Sequence, residues 1–102
     1  MRIDRRKLVD YALSPLHSQG KHKARVFASV LGLSSRDADI LISALRTAAA
    51  EEEAERLWED RHGVRFRVRF QFHFNGRSAM IASGWRAPAD GSPTRLTTVF
   101  VE

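Results

Sequence analysis

The stretch VRFRVRFQFHFNGRSAMIASGW, residues 64–85, decides the fold. Polar and apolar side chains alternate through its first half, which is the pattern of a β-strand with one buried face. Asn75-Gly76 then favours a two-residue type I′ hairpin turn, because both turn positions need positive φ. The register that follows from this turn sets Arg67 opposite Gly84. The stretch therefore predicts a β-hairpin with a phenylalanine face and an arginine face.

The two faces of the hairpin differ in chemistry. We expect helices to bury the phenylalanine face, which includes Trp85 by register unless a bulge near Gly84 reverses it. The arginine face carries Arg67 and Arg69 opposite small residues, and it suits a phosphate chain because arginine binds phosphate in bidentate fashion. A solvated face that resists aggregation is the alternative interpretation. A run of arginines with no acidic partner is less easily explained that way.

Three helices are predicted before the hairpin. Asp4 caps a short first helix to about Leu13, and the second helix spans about residues 21–31. The third begins at Ser34 or Ser35 and continues through the EEE run to about Trp58, with the three glutamates on a solvated helical face.

A further strand, at about residues 95–101, follows the turn-rich segment APADGSP. The sequence does not decide which face of this strand is buried, because Leu96 and Phe100 compete with Val99 and Val101 for the core. The chain is therefore predicted to be α+β, with about three N-terminal helices packed on one face of a small antiparallel β-meander of three to four strands. We expect one domain over residues 1–102, helical at about 4–58 and sheet at about 64–102.

Composition narrows the class of protein and of partner. The 102 residues carry a net charge of +5 and no cysteine, which excludes disulfides and thiolate metal sites. Residues 1–25 and 64–102 carry net charges of +5 and +4, whereas residues 26–63 carry −4. This distribution indicates a basic surface and an anionic partner. The chain start lacks the apolar region of a signal peptide and no apolar run could span a membrane, so we expect a cytoplasmic protein.

A basic segment, HSQGKHKAR at residues 17–25, precedes the second helix. Gly20 permits a tight turn there, and the first N–H groups of a helix favour an anion. Lys21 and Lys23 add positive charge that opposes the helix dipole unless an anion compensates it. A solvated basic helix start is the alternative interpretation.

These residues supply the groups that RNA cleavage requires. A 2′-hydroxyl needs a base, the leaving 5′-oxygen needs an acid, and the phosphorane needs positive charge. His17, Lys23 and the strand arginines can supply all three. The histidines have no metal-ligand spacing, and we predict no metal and no cofactor.

Three segments resemble an uncharacterised bacterial family, a domain of unknown function with a His-Pro-x-Gly-x-x-Lys-Ala-x-x-Phe motif. They are YALSPLHSQGKHKARVFASVLGL at 11–33, HGVRF at 62–66 and NGRSAMIASGWRAPADGSPTRLTTVF at 75–100. The residues that match the two longer motifs are His17, Gly20, Lys23, Ala24, Phe27, Arg77, Trp85, Arg95, Leu96 and Thr98. The sequence departs from the family at Ser18, usually proline, and at Phe66, usually tyrosine.

That family is similar to the nuclease domains of bacterial toxins grouped with barnase, EndoU, colicins and RelE. The resemblance implies N-terminal helices on one face of an antiparallel sheet and an active site on the other. It also implies RNA cleavage without a metal and inhibition by a small acidic antitoxin or immunity protein.

We therefore predict a metal-independent endoribonuclease, the toxin of a bacterial toxin–antitoxin or polymorphic toxin system. The predicted catalytic residues are His17, Lys23 and Thr98. The predicted phosphate or RNA contacts are Lys21, Arg67, Arg69 and Arg77, and further candidates are Thr97, Trp85 and His73. The alternative is a noncatalytic module that binds nucleic acid or protein, such as the antitoxin half of such a pair.

Overall fold

The computed structural model describes residues 1–102 as three helices and one antiparallel sheet with the strand order β1-β2-β3-β4. The strands are β1 (Ala54–Asp60), β2 (Gly63–Phe74), β3 (Arg77–Pro88) and β4 (Arg95–Val101). The helices pack on one face of this sheet, so the predicted α+β class is confirmed. No helix is long and apolar enough to cross a membrane.

The β2–β3 hairpin has the predicted turn and the predicted register. Asn75 and Gly76 both have positive φ, 49° and 78°, as a type I′ turn requires. Arg67 lies opposite Gly84, and the pairing continues without a shift through the whole hairpin. The local sequence therefore determines both the turn and which side chains share a face.

The first helix is a wide turn at Leu8–Ala12, and the Asp4 carboxylate accepts a hydrogen bond from the Arg6 backbone N–H just before it. The second helix comprises Lys21–Val26 and a widened turn, Phe27–Leu31. It ends at Gly32, where φ is 69°, a left-handed value that suits glycine.

The third helix begins with a short 3₁₀ turn, Ser35–Asp37, and continues as Ala38–Glu51. Ser34 and Asp37 form a capping box at its start. The prediction that this helix continues to about Trp58 is wrong, because the chain leaves it after Glu51 and forms β1. Three successive glutamates at a helix C-terminus are opposed by the helix dipole. The next residues instead gain backbone hydrogen bonds on the free edge of β2.

The phenylalanine face forms the core together with the helices. Phe70 and Phe72 are buried on this face, and Trp85 is only 1% exposed. The Trp85 indole N–H donates to the Ser83 hydroxyl at 2.9 Å, which donates to the Val68 carbonyl at 2.7 Å. Trp85 is therefore a core residue with its one polar atom satisfied, as its register predicts.

A bulge in β4 resolves which of its side chains are buried. Gly84 pairs with Thr98 while Trp85 pairs with Leu96, so Thr97 is an extra residue without a partner. Leu96 and Val99 are consequently both buried. Beyond the bulge, Thr98 and Phe100 point to the face away from the helices. The core thus takes Leu96 from one predicted face of the strand and Val99 from the other, because the bulge lies between them.

Candidate functional site

A groove of about 670 Å³ lies where the first and second helices meet the edge of β4. We call it the Lys23 groove. Four residues that the sequence singles out line it: His17, Lys23, Thr97 and Thr98. The other residues that line it are Asp4, Arg6, Lys7, Asp10, Tyr11, Ala12, Leu96 and Val99. Side chains from opposite ends of the chain therefore meet at one edge of the sheet.

Lys23 connects the second helix to the open face of the sheet. Its Nζ donates a hydrogen bond to Thr98 Oγ1 at 2.8 Å. The same ammonium lies 5.2 Å from the centre of the Tyr11 ring and 5.9 Å from that of Phe100, within cation–π range. No carboxylate forms an ion pair with it. Its amine thus contacts two rings and a hydroxyl and has no carboxylate partner.

The Lys23 groove and the arginine face lie on the same side of the sheet. Thr98 pairs with Gly84, and Gly84 pairs with Arg67, so these three side-chain positions form one row across β4, β3 and β2. Two strand spacings, roughly 10 Å, separate Thr98 from Arg67. Because Lys23 is bonded to Thr98, the two basic segments of the sequence meet on one surface.

Burial lowers the pKa of Lys23 below its ordinary value of 10.5, and the nearby charge of Lys7 lowers it further. Both effects disfavour the ammonium relative to the neutral amine. A larger share of Lys23 is therefore neutral near physiological pH than for a solvated lysine. Such a lysine can accept a proton, which is the property required of a general base.

His17 is held in one orientation by the turn that follows it. Its Nδ1 accepts backbone hydrogen bonds from Gln19 at 3.0 Å and Gly20 at 2.9 Å. The ring also packs edge-on against Tyr11, with ring centres 4.5 Å apart. Since two donors face Nδ1, the neutral imidazole carries its proton on Nε2. His17 therefore caps the turn with one nitrogen and has the other available as a donor.

Gly20 is required by close contact rather than by an unusual φ. A Cβ atom at this position would overlap the carbonyl oxygen of Tyr11. The absence of a side chain lets the turn pack against the first helix, which brings His17 and Lys23 to the same groove. The glycine in the motif is thus explained by packing.

The arginines of β2 are not all free. Arg67 forms an ion pair with Glu55 at 2.8 Å, and Arg69 forms one with Glu102 at 2.7 Å. The expectation that this run has no acidic partner is therefore wrong for these two residues. Glu55 lies in β1, a segment for which the sequence predicts a helix. The hydrogen bonds from Arg69 also lower the pKa of the Glu102 carboxyl.

The remaining candidates lie outside the Lys23 groove. Arg77 shares a face with Phe74, and its Nη1 makes a long hydrogen bond of 3.4 Å to the Ser29 carbonyl. Lys21 is exposed and borders a different depression beside Pro15 and Leu33. His73 is exposed near the turn end of β2, and Trp85 is in the core. The structure thus joins His17, Lys23, Thr97 and Thr98 in one groove, which Arg77, Lys21, His73 and Trp85 do not line.

Two cationic residues of the groove were missed by the sequence analysis. Arg6 and Lys7 line it beside Tyr11. Arg6 pairs with Asp4 at 3.1 Å, and this hydrogen bond lowers the pKa of the Asp4 carboxyl. The charged run RIDRRK at residues 2–7 was the available signal. No three histidine, aspartate or glutamate side chains lie close enough together to hold a metal ion.

Comparison with known proteins gives a family and a solved structure of similar fold. Residues 1–102 match the model of a family described as Domain of unknown function (DUF6883). The fold is similar to a chain of a contact-dependent growth inhibition toxin–immunity protein complex from Klebsiella pneumoniae 342. That similarity has a TM-score of 0.76 over 98% of each chain, with 15% sequence identity. No curated protein matches the sequence significantly.

Proposed function

We propose that this chain, which belongs to the DUF6883 family of domains of unknown function, is the toxin of a toxin–immunity pair and cleaves RNA without a metal. The observation that carries the proposal is the Lys23–Thr98 hydrogen bond inside a basic groove. It joins a lysine of lowered pKa to a hydroxyl, beside an oriented histidine. The similarity of fold to a chain of a toxin–immunity complex supports the biological setting.

Lys23 is the proton acceptor in this proposal. Its neutral amine takes the proton of a ribose 2′-hydroxyl, and that oxygen attacks the adjacent phosphorus. The bond to the 5′-oxygen breaks, and that oxygen leaves with a proton from water. A cyclic phosphate and a free 5′-hydroxyl result, with the proton taken up by Lys23 returned to solvent afterwards. The lowered pKa of Lys23 favours this first step, because it raises the neutral fraction of the amine at any given pH.

Thr98 and His17 hold the phosphate. Thr98 Oγ1 accepts from Lys23, so its own hydrogen is free to donate to a phosphate oxygen. His17 donates through Nε2, because Nδ1 is occupied by backbone N–H groups. Arg6 and Lys7 add positive charge where the phosphorane becomes more negative.

The immunity half of a pair is the second candidate. The ion pairs of Arg67 and Arg69 give part of the open face mixed charge, which also suits a protein partner. Growth separates the two candidates. A toxin arrests cells on induction unless its acidic immunity protein is present, whereas an immunity protein is harmless alone and protects against its toxin.

RNA cleavage in EDTA tests the enzyme directly. Lys23→Met keeps the aliphatic stem and removes the amine, and we expect it to slow cleavage of total RNA by about 10²–10⁴-fold. Lys21→Met is the matched control, since it removes the same charge two residues away, outside the Lys23 groove. We expect this control to cleave like the wild type. A wild type that cuts no RNA, or a Lys23→Met variant as active as the wild type, would overturn the proposal.

A further inference from the structure

A second groove, of about 810 Å³, adjoins the Lys23 groove. The two share Asp4, Arg6, Lys7, Leu96 and Thr97 in their walls. Eight cationic side chains line the second groove against a single carboxylate, Asp4, which is already paired with Arg6. These eight are Arg2, Arg5, Arg6, Lys7, Arg46, Arg65, Arg86 and Arg95. Positive charge therefore continues from the Lys23 groove along the edge of the sheet.

Four of these side chains form a row across the sheet. Arg65 lies directly opposite Arg86, Arg86 lies opposite Arg95, and Arg2 bridges to Arg95 from the chain start. We call this set the arginine row. Like charges at directly opposite positions of neighbouring strands repel each other and destabilise a sheet. The fold thus holds four guanidinium groups together at a cost to its own stability.

One carboxylate near the arginine row, Asp90, lines a neighbouring depression together with Arg2, Arg86 and Arg95. Hydrogen bonds from Ser92, and to a smaller extent the charge of Arg86, lower its pKa, but it forms no ion pair with the row. None of the four members of the row forms an ion pair in the structure.

The Nε atoms of Arg65 and Arg86 are buried and have no hydrogen-bond partner. A buried donor without an acceptor is unfavourable, and arginine pairs best with a planar or tetrahedral oxyanion. The row therefore supplies hydrogen-bond donors and positive charge for a phosphate, and no acceptor of the protein bonds its two buried Nε atoms.

We propose that the arginine row is a second phosphate subsite, which binds a phosphodiester of the same RNA strand that enters the Lys23 groove. This inference rests on the proposed function, because it takes RNA as the ligand. The shared wall at Arg6, Lys7 and Thr97 lets one strand contact both grooves. The row supplies affinity and positioning, while proton transfer stays with Lys23.

Binding of an RNA analogue that cannot be cleaved tests the subsite separately from the chemistry. The probe is a fluorescein-labelled 2′-O-methyl oligonucleotide, which lacks the attacking hydroxyl, followed by fluorescence anisotropy at several salt concentrations. Arg65→Gln/Arg86→Gln removes two charges from the row. Arg67→Gln/Arg69→Gln is the matched control, since it removes two charges from the same face of the sheet, and both already have carboxylate partners.

We expect the row variant to bind the probe at least about tenfold more weakly and to reduce the salt slope by about 1.4, as for two lost phosphate contacts. The control should weaken binding by no more than about threefold, because the charges that it removes are already paired. Equal losses in both variants, or no loss in the row variant, would overturn the subsite. Displacement of the probe by poly-L-glutamate at equal charge concentration would overturn RNA as its ligand. Thermal unfolding verifies folding, and Arg86→Gln alone serves if the double variant is unfolded.

The two proposals fail in different ways. If the wild type binds the probe through the row and cleaves no RNA, the proposed enzyme function fails and the subsite remains. If the wild type cleaves RNA and the row variant binds the probe like the wild type, the subsite fails and the enzyme function remains.

Discussion

Two pairs of arginines on one face of the sheet differ in whether a carboxylate neutralises them. Arg67 and Arg69 lie opposite a glycine and an alanine, and each has a carboxylate partner. Arg65 and Arg86 lie opposite each other, and neither has one. Arg65 and Arg67 are two positions apart on one strand and look equivalent in sequence. The partner, rather than the residue type, therefore decides whether an arginine is available to a ligand.

The largest effect is expected at Lys23, which shares with the row the lack of a carboxylate partner. Loss of a proton-transfer group costs about 10²–10⁴-fold in rate, and we expect this loss in Lys23→Met. Thermal unfolding at pH 7 should give a Tm no lower than that of the wild type, since burial disfavours the removed charge. A variant that loses activity only by unfolding would instead give Lys23 a structural role.

The pH profile of the wild type reports the same lysine. Its folded-state pKa lies below 10.5, so activity that needs the neutral amine should rise with pH and level off below that value. Stability should also rise with pH between the lowered pKa and 10.5, because the unfolded chain binds more protons there. Cleavage rates and Tm measured from pH 6 to 10 check both. Activity that falls over this range would contradict a lysine base.

Arg86→Glu gives the arginine row a carboxylate partner, as Arg67 and Arg69 already have. The new carboxylate lies between Arg65 and Arg95, so it replaces repulsion by attraction at two cross-strand pairs. We expect stability to rise by about 1 kcal/mol and Tm by about 4 °C. Affinity for the 2′-O-methyl probe should fall by about 100-fold at low salt. A lower Tm in a folded variant would show that repulsion within the row costs the fold nothing.

Gly84→Ala acts between the two arginine sets, because Gly84 lies beside both Arg67 and Thr98. A Cβ atom here would lie 2.8 Å from Thr98 Cγ2 and 3.2 Å from Thr97 Oγ1. Thr98 must then turn, which breaks its hydrogen bond from Lys23. We expect about tenfold slower cleavage, typical of a disturbed positioning contact, with a smaller loss of probe binding, because Thr98 contacts one phosphate of several. Equal loss of binding and cleavage would place the damage in the sheet instead.

Removing the carboxylate partners of Arg67 and Arg69 should have the smallest effect. Glu55→Gln/Glu102→Gln leaves Arg67 and Arg69 without carboxylates, and we expect probe binding to tighten up to about threefold. Tm should change by less than about 4 °C, because exposed ion pairs contribute little. Glu102 has a lowered pKa, so its ion pair contributes above about pH 4.5 and is lost as pH falls through that lowered value. A tenfold gain in affinity would show that the pairing itself restrains binding.

Much of the fold could be predicted because its determinants are local. The turn at Asn75-Gly76 and the alternation before it specify the β2–β3 register without any distant contact. Strand β1 could not be predicted in this way. AERLWED has no alternation of its own, and its strand form depends on the free edge of β2. Without β1, the prediction does not bring Glu55 beside Arg67, so the ion pair between them is not foreseen.

The candidate site likewise has a part that local sequence predicts and a part that depends on distant contacts. His17 and Lys23 could be selected from one short segment, since a glycine turn and basic residues at a helix start are local features. Their contact with Thr98 joins residues 75 positions apart, and neither segment encodes it alone. The bulge at Thr97 turns Thr98 to the open face. The arginine row likewise requires three strands and the chain start to be in register.

By itself, the sequence determined the hairpin, the class of fold and the basic character of the surface, because periodicity, turn chemistry and composition act over a few residues. Only the tertiary structure decided which of its charges are neutralised. An ion pair depends on the distance between side chains that different strands carry, and that distance is set by sheet order, register and one bulge. Arg65 and Arg67 share a strand and a face, and these long-range contacts make one a candidate ligand-binding group and the other a partner of Glu55.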